Sequence, residues 1–473
     1  MKNICFVAAC VLVLTSCKKD FGDLNRDQKH PTSVPSHTLF SNGQKNLAAC
    51  LSEADPNTNV FRLWSQQWTQ TTYTDESRYD LNTRAIPDQW WTVLYKDCLR
   101  DFDEARKLIP NDVTNTGKQK NELAIVDIHM VYVYWVLVNT FGNIPYSSAL
   151  DANNLFPSYA GAKTIYDDML TRLNTDISNL DAAEQSFGND DLLYAGDPAK
   201  WKKFANSLKL LMGIMLTDDD PTKAAAAIMQ AAPGAFTSND DNAIFNFLSA
   251  PPNTNPVWAN LVQSGRNDFV AANTLVNLLK NMSDPRLPIY FTKDASNGYS
   301  GGVPGNGNSY GTFSHVTADQ KVPDAPFVIV DYAQVEFALA EAAARNINVG
   351  GTAEEHYNKA VTASIISWGG TIAAANTYLA LPGVKYAPSG TGDFKQIATQ
   401  QYIALYNRGV DAWNSIRRLD YPVLAAPINA LSPFPVRFTY PVLEQNVNTT
   451  NYDQASAAIG GDAVTTKLFW DKH

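Results

Sequence analysis

Trp64, Trp68, Trp90 and Trp91 fall within 28 residues, together with Tyr73 and Tyr79. A polar run, residues 69–80, lies among them and carries Asp75 and Arg78. Flat ring faces stack on pyranose rings, while carboxylate, amide and guanidinium groups bind hydroxyls. The chemistry this window offers is sugar recognition. Trp64 and Trp91 sit at helical spacing among apolar neighbours and read as core. Tyr73 and Tyr79, with Tyr299 and Tyr310 of a glycine-rich stretch, are candidates to stack or edge-pack on sugar rings. Trp68 and Trp90 would stand behind them, and Asp75 and Arg78 would bind hydroxyls.

Other chemistries find little support. There is no H-E-x-x-H, no P-loop and no paired C-x-x-C. His30, His37, His129, His315, His356 and His473 are scattered without ligand spacing, and His129 reads as a core histidine. Gly298-Tyr299-Ser300-Gly301-Gly302 formally fits G-x-S-x-G. That elbow must lead into a helix, and Val303-Pro304-Gly305-Asn306-Gly307 cannot start one. Gly305, Gly307 and Gly311 miss the dinucleotide spacing. Glu336 and Glu341 lie five apart, on diverging faces of one helix, where either could salt-bridge a neighbour. Asp218-Asp219-Asp220 and Asp240-Asp241 read as solvated turns rather than calcium sites. No catalytic residue, metal or cofactor is expected.

The chain of 473 residues is 45% hydrophobic and 18% charged, with net charge -10. That is ample for a packed core, and the acidic balance argues against a nucleic-acid partner. Lys2 precedes an apolar run, residues 4–14, with the form of a secretory signal. It is shorter than the roughly 20 apolar residues a spanning helix needs. Leu14-Thr15-Ser16-Cys17 resembles a bacterial lipobox, which implies removal of residues 1–16 and a lipid on Cys17. Asp20 and Asp23 follow early, as in Bacteroidetes lipoproteins exported to the cell surface. Cys50 and Cys98 then remain, either as buried thiols or as a single bridge.

Apolar residues recur at three- and four-residue steps along most of the chain. Helices are expected at roughly 37–52, 57–71, 88–109, 119–141, 161–182, 196–217, 221–231, 269–281, 331–345, 351–368, 371–381, 394–407 and 409–419. Asp197-Pro198 and Asp331 mark helix starts. Short strands are expected at 327–330 and 437–440, and long irregular stretches at 232–260 and 284–330. Residues 123–141 are apolar, but Asp127 and His129 favour a helix buried in protein over one in lipid. The fold class is mostly α, with helix pairs, minor short strands and long irregular loops.

Several ordered motifs carry a resemblance. Asp20-Phe21-Gly22-Asp23-Leu24-Asn25 with Pro31-Thr32 opens the series. Phe141-Gly142-Asn143-Ile144-Pro145-Tyr146 follows, with Asn143 in place of the usual Asp. Next come Phe204-Ala205-Asn206-Ser207-Leu208-Lys209-Leu210, and residues 332–342 with Gln334 where Glu is common. The late segment runs from Gln396 through Trp413 to Arg417-Arg418, with Leu419-Asp420 in place of Thr-Gly. Arg437-x-x-Tyr440-Pro441, Gly460-Gly461-Asp462 and Lys467-Leu468-Phe469-Trp470-Asp471 complete it. The chain resembles the SusD/RagB-like nutrient-binding outer-membrane lipoproteins of Bacteroidetes. The resemblance implies helix pairs like tetratricopeptide repeats beneath a loop-rich half, and no enzymatic activity. It implies capture of oligosaccharides, or peptides in a RagA/RagB-type system, for a SusC-like TonB-dependent transporter. The organisation expected is a signal peptide (1–16), a lipidated tether (17–36) and one α-helical domain (37–473) on the cell surface. A surface glycoside hydrolase is the remaining alternative.

Overall fold

Helix starts follow the capping chemistry written in the sequence. Asp197 accepts the amides of Ala199 and Lys200, and Pro198 takes the first helical position, where a missing N–H costs nothing. Asp331 accepts the amide of Gln334, and Thr352 with Glu355 forms a capping box. A computed structural model describes residues 34–390 and 392–473. The signal, Cys17 and the tether through residue 33 lie outside the described residues.

Residues Ser36–His473 form one unit. Its first half comprises α1 (Ser36–Ser52), α2 (Ile86–Thr92), α3 (Arg100–Asp112), α4 (Thr116–Phe141), α5 (Ala162–Asn179), α6 (Pro198–Met215) and α7 (Pro221–Ala231). A π-helical stretch, Val93–Leu99, joins α2 to α3. Then come α8 (Asn273–Asn281), α9 (Tyr332–Ala344), α10 (Ala353–Ser367), α11 (Ile372–Leu379), α12 (Lys395–Ala404), α13 (Gly409–Leu419), α14 (Val442–Val447) and α15 (Thr449–Ala458). Successive helices pack as pairs resembling tetratricopeptide repeats: α3 on α4, α4 on α5, α5 on α6, α6 on α7, then α9 on α10 and α12 on α13. Strands are few. Antiparallel pairs join β1 (Trp68–Gln70) to β5 (Phe269–Ala271), β2 (Ile144–Pro145) to β3 (Tyr159–Ala160), and β4 (Ala243–Phe245) to β6 (Phe327–Val330).

α4 is apolar around its circumference because protein surrounds it. It is long and apolar enough to cross a membrane, yet nearly all its residues from Asn121 onward are buried. Its polar residues are matched individually. Arg172 of α5 binds Asp127 through Nε (2.9 Å) and Nη2 (2.6 Å). His129 donates from Nδ1 to the Ile125 carbonyl and accepts from Gln44 at Nε2, and burial pulls it down to about 4. The C-terminal carbonyls of α4 are completed from far along the chain. Gly142 N binds Val138 O, Arg417 Nη2 binds Asn139 O, Phe438 N binds Thr140 O and Arg437 Nη2 binds Phe141 O.

Several expectations are corrected. Residues 57–71 do not form one helix: only Phe61–Trp64 is helical. Gln66 then turns the chain with φ +51°, and β1 pairs with β5, which occupies the first residues of the helix expected at 269–281. Residues 437–440 are not a strand, because their amides bind Thr140 O and the Asp462 carboxylate rather than a ladder. The aspartate clusters lie at turns, as expected, with Asp240 exposed, but most of their carboxylates are paired. Asp218 pairs with Arg345, Asp219 with Lys163 and Lys472, Asp220 caps α7, and Asp241 pairs with Lys203. Cys50 and Cys98 are free, buried thiols.

Two outcomes test this packing. Arg437 is fully buried and pairs with Asp462 at 2.6 Å. Arg437→Ala removes its bonds to Asp462 and Phe141 O and is expected to cost about 3–5 kcal/mol, read as a lowered denaturation midpoint. Asp176 lies buried near Asp127, and burial followed by that neighbouring charge raises its carboxyl to about 9. The unfolded side chain ionises near about 4. The folded chain thus holds a proton that the unfolded chain releases, and this penalty grows as pH rises from about 4 to about 9. Asp176→Asn should raise the thermal midpoint, and by more at pH 8 than at pH 5.

Candidate functional site: a loop face around Tyr73

β1 leaves the core at Gln70 and opens the loop of residues 71–80. The inner side of this loop is anchored. Gln70 Oε1 accepts both the amide and the hydroxyl of Ser77, and Gln70 Nε2 donates to the buried Glu76. Arg84 completes that contact, with Nε 2.5 Å from Glu76 Oε1. The outer side carries Tyr73, Asp75 and Arg78. Tyr73 is 67% exposed and adopts φ +52°. A bulky residue held in the left-handed region is strained, and such strain clusters at functional sites. Arg78 donates from Nε to Asn429 O at 2.8 Å, and its Nη1 is 3.5 Å from Asp75.

Two further segments meet this loop. The glycine-rich stretch is stapled by Asn308, whose Nδ2 donates to Gln70 O, Val303 O and Asn306 O while its Oδ1 accepts the Val303 amide. Gly305 has φ +81°, and a Cβ there would lie 2.5 Å from Ile428 O and 3.0 Å from the Arg78 side chain, so only glycine fits. The segment 423–431 runs alongside, bound by Ile428 N to Pro304 O and Leu431 N to Arg78 O. Gln66 fixes its start by donating to Ala425 O. The face thus presents Tyr73, Asp75 and Arg78 beside the exposed side chains of Val303, Asn306, Ile428 and Leu431.

The eight sequence candidates separate by burial. Tyr73, Asp75 and Arg78 share the loop face. Tyr310 lies two residues beyond Asn308, half-buried and stacked on His315 with ring centroids 4.3 Å apart. Burial, with Lys321 nearby, holds that imidazole below its usual range. Tyr299 is half-buried against the core, and its carbonyl accepts Lys280 Nζ. Trp68 and Trp90, expected behind the tyrosines, are buried in the core, and Tyr79, expected to contact a sugar, is corrected to a core residue. Trp68 donates to the Tyr406 hydroxyl beneath the Arg62 guanidinium, Trp90 packs on Phe61, and Tyr79 packs edge-on against Trp64. Burial pushes Tyr79 up to about 12, and its hydroxyl accepts from Gln66. These three rings have no free face for a ligand. The sequence reading missed Gln66, Gln70, Asn308 and the segment 423–431. The prolines at 422, 427, 433 and 435 marked that segment as irregular, but nothing local gave its partner.

Two clefts open elsewhere among the described residues. One of about 740 Å³ is lined by Asn239, Asn358, Lys359 and Asn376. Another of about 1110 Å³ is lined by Arg345, Phe394 and Arg418, whose charges are already met by Asp218 and Glu341. Neither includes a sequence candidate. The first has one aromatic ring, the half-buried Tyr332.

Comparison with known proteins follows this geometry. The SusD-like family described as starch-binding and associating with the outer membrane matches residues 28–441. A chitin-binding SusD homologue from Flavobacterium johnsoniae superposes with a TM-score of 0.79 at 24% identity, covering 93% of this chain and 99% of its own. A SusD homologue from Bacteroides uniformis gives 0.81 at 23% identity, covering 92% and 99%. A SusD-like protein from Bacteroides thetaiotaomicron gives 0.78 at 24%, covering 93% and 99%. The fold is common to all of these. No curated protein sequence matches.

Asn308→Ala would unfasten the loops while leaving the helix pairs intact. The expected cost is about 1–3 kcal/mol for the backbone groups it strands, accompanied by faster proteolysis within residues 301–311. A protease pattern unchanged from the parent would refute the staple.

Proposed function

From the premise that the chain belongs to the SusD-like family, we propose that it is a surface lipoprotein that binds an oligosaccharide and delivers it to a SusC-like TonB-dependent outer-membrane transporter. The observation that carries the reading is Tyr73, exposed and strained beside Asp75 and Arg78 on three interlocked loops. Tyr73 supplies a stacking face, Asp75 and Arg78 supply hydroxyl partners, and the Tyr310–His315 stack and Tyr299 extend the aromatic surface. Trp68, Trp90 and Tyr79 act behind this face as its rigid floor. The chitin-binding description of one relative supports a glycan. Cys17 carries the lipid after residues 1–16 are removed, the tether 17–36 spans to the domain, and the protein performs no catalysis. Affinity is modest, because an open face desolvates few contacts.

One observation favours a second ligand class. Val303, Ile428 and Leu431 place exposed aliphatic side chains on the same face, which suits apolar residues of a peptide.

Soluble protein from residue 18 onward, screened against glycans and peptides by calorimetry, tests both. Binding of one glycan without its degradation is expected, with Tyr73→Ala weakening it about tenfold, or about 1.4 kcal/mol. Unchanged glycan affinity in a Tyr73→Ala, Tyr310→Ala double variant would reject this face. Peptide binding alone would move the substrate to protein fragments, and release of sugar products would replace the carrier with a hydrolase.

A further inference from the structure

Two segments far apart in sequence build a second surface. Asn448 Nδ2 donates to Pro157 O (3.0 Å), Asn451 Nδ2 to Phe156 O (3.1 Å), and the Tyr159 hydroxyl to Glu444 (2.7 Å). These bonds lock the loop 151–158 against α14 and α15. Leu155, Phe156, Val442, Leu443 and Val447 are each more than half exposed there. Leu443 and Val447 lie one helical turn apart. Grouped apolar exposure of this kind marks an interaction site.

The charges around it select the occupant. Between Arg418 and Lys467 the only basic residue is Arg437, which is fully buried, and residues 144–162 contain none. The same segments carry the acids Asp151, Glu444 and Asp453. A second copy would bring the acids of these segments against each other, and the segments themselves offer anionic lipid headgroups only the buried Arg437. The complement is a protein surface with an apolar centre and a basic margin. Its position is also informative. Asp88 accepts the amides of Val442 and Leu443, and only residues 81–85 separate α2, which holds Asp88, from the loop that carries Tyr73. A protein seated on the patch would border the ligand face.

We propose that Leu155, Phe156, Val442, Leu443 and Val447 form the docking surface for a protein with an apolar, basic-rimmed face. Resting on the reading above, that protein is the transporter receiving the ligand. A photo-crosslinking amino acid placed at Phe156 or Leu443 of the full lipoprotein in intact cells tests it, with Ile372 on α11 as an exposed apolar control. The expected product joins both positions, but not Ile372, to barrel peptides carrying Lys or Arg beside apolar residues. Crosslinks to a second copy or to lipid, or none at either position, overturn the proposal. A Phe156→Asp, Leu443→Asp variant should bind glycan like the parent yet lose at least tenfold in co-purification with the barrel. Retained co-purification also overturns it. Absent ligand binding by the parent protein, with crosslinks intact, would instead remove the glycan reading alone.

Discussion

The C-terminal end of α4 is the constraint on which the rest of the structure depends. A helix buried on every side cannot leave its last four carbonyls to water. A buried carbonyl without a partner costs about 1–3 kcal/mol. Here those carbonyls meet Gly142 N, two guanidinium groups and Phe438 N. The guanidinium charges also face the negative end of the helix dipole. Arg417 is held in turn over the Trp413 ring at 3.3 Å, with Trp470 at 4.8 Å on its other contact. A helix from the first third of the chain is therefore completed only by the last fifth, and the unit closes on itself.

Most helices were legible because their information is local. Apolar spacing, Asp197-Pro198 and Asp331 are read within a few residues. Elements set by distant partners were not. β1 follows the apolar period of the expected helix at 57–71 but is drawn into a strand by Phe269–Ala271, some 200 residues away. α14 and α15 went unread because residues 442–458 are rich in Asn, Thr and Gln with no sustained apolar period. The family departures find physical explanations. Asn143 accepts the amide of Ala162 at the start of α5, Gln334 bridges Arg408 and Asp411, and Asp420 takes the left-handed position after α13 with φ +56°. Each fills its role with a residue of compatible hydrogen bonding or backbone freedom.

The candidate face was half legible for a related reason. Residue type singled out a loop carrying Tyr, Asp and Arg, but type does not report burial. Tyr73 and Tyr79 are six apart and chemically identical, yet one faces water and the other packs on Trp64. The helices supply a stiff base, and irregular backbone on that base supplies the variable chemistry.

The loops are joined by main-chain pairs, Pro304 O to Ile428 N and Arg78 O to Leu431 N, and by a few side chains, Arg78, Asn308 and Gln66, that donate to the carbonyls of Asn429, Gln70 and Ala425. Outward side chains such as Tyr73, Val303 and Leu431 take no part in holding the face together. Heritable changes at those positions can therefore alter the exposed side chains without loosening the scaffold. In descent, this makes the face a surface whose exposed chemistry can change one residue at a time.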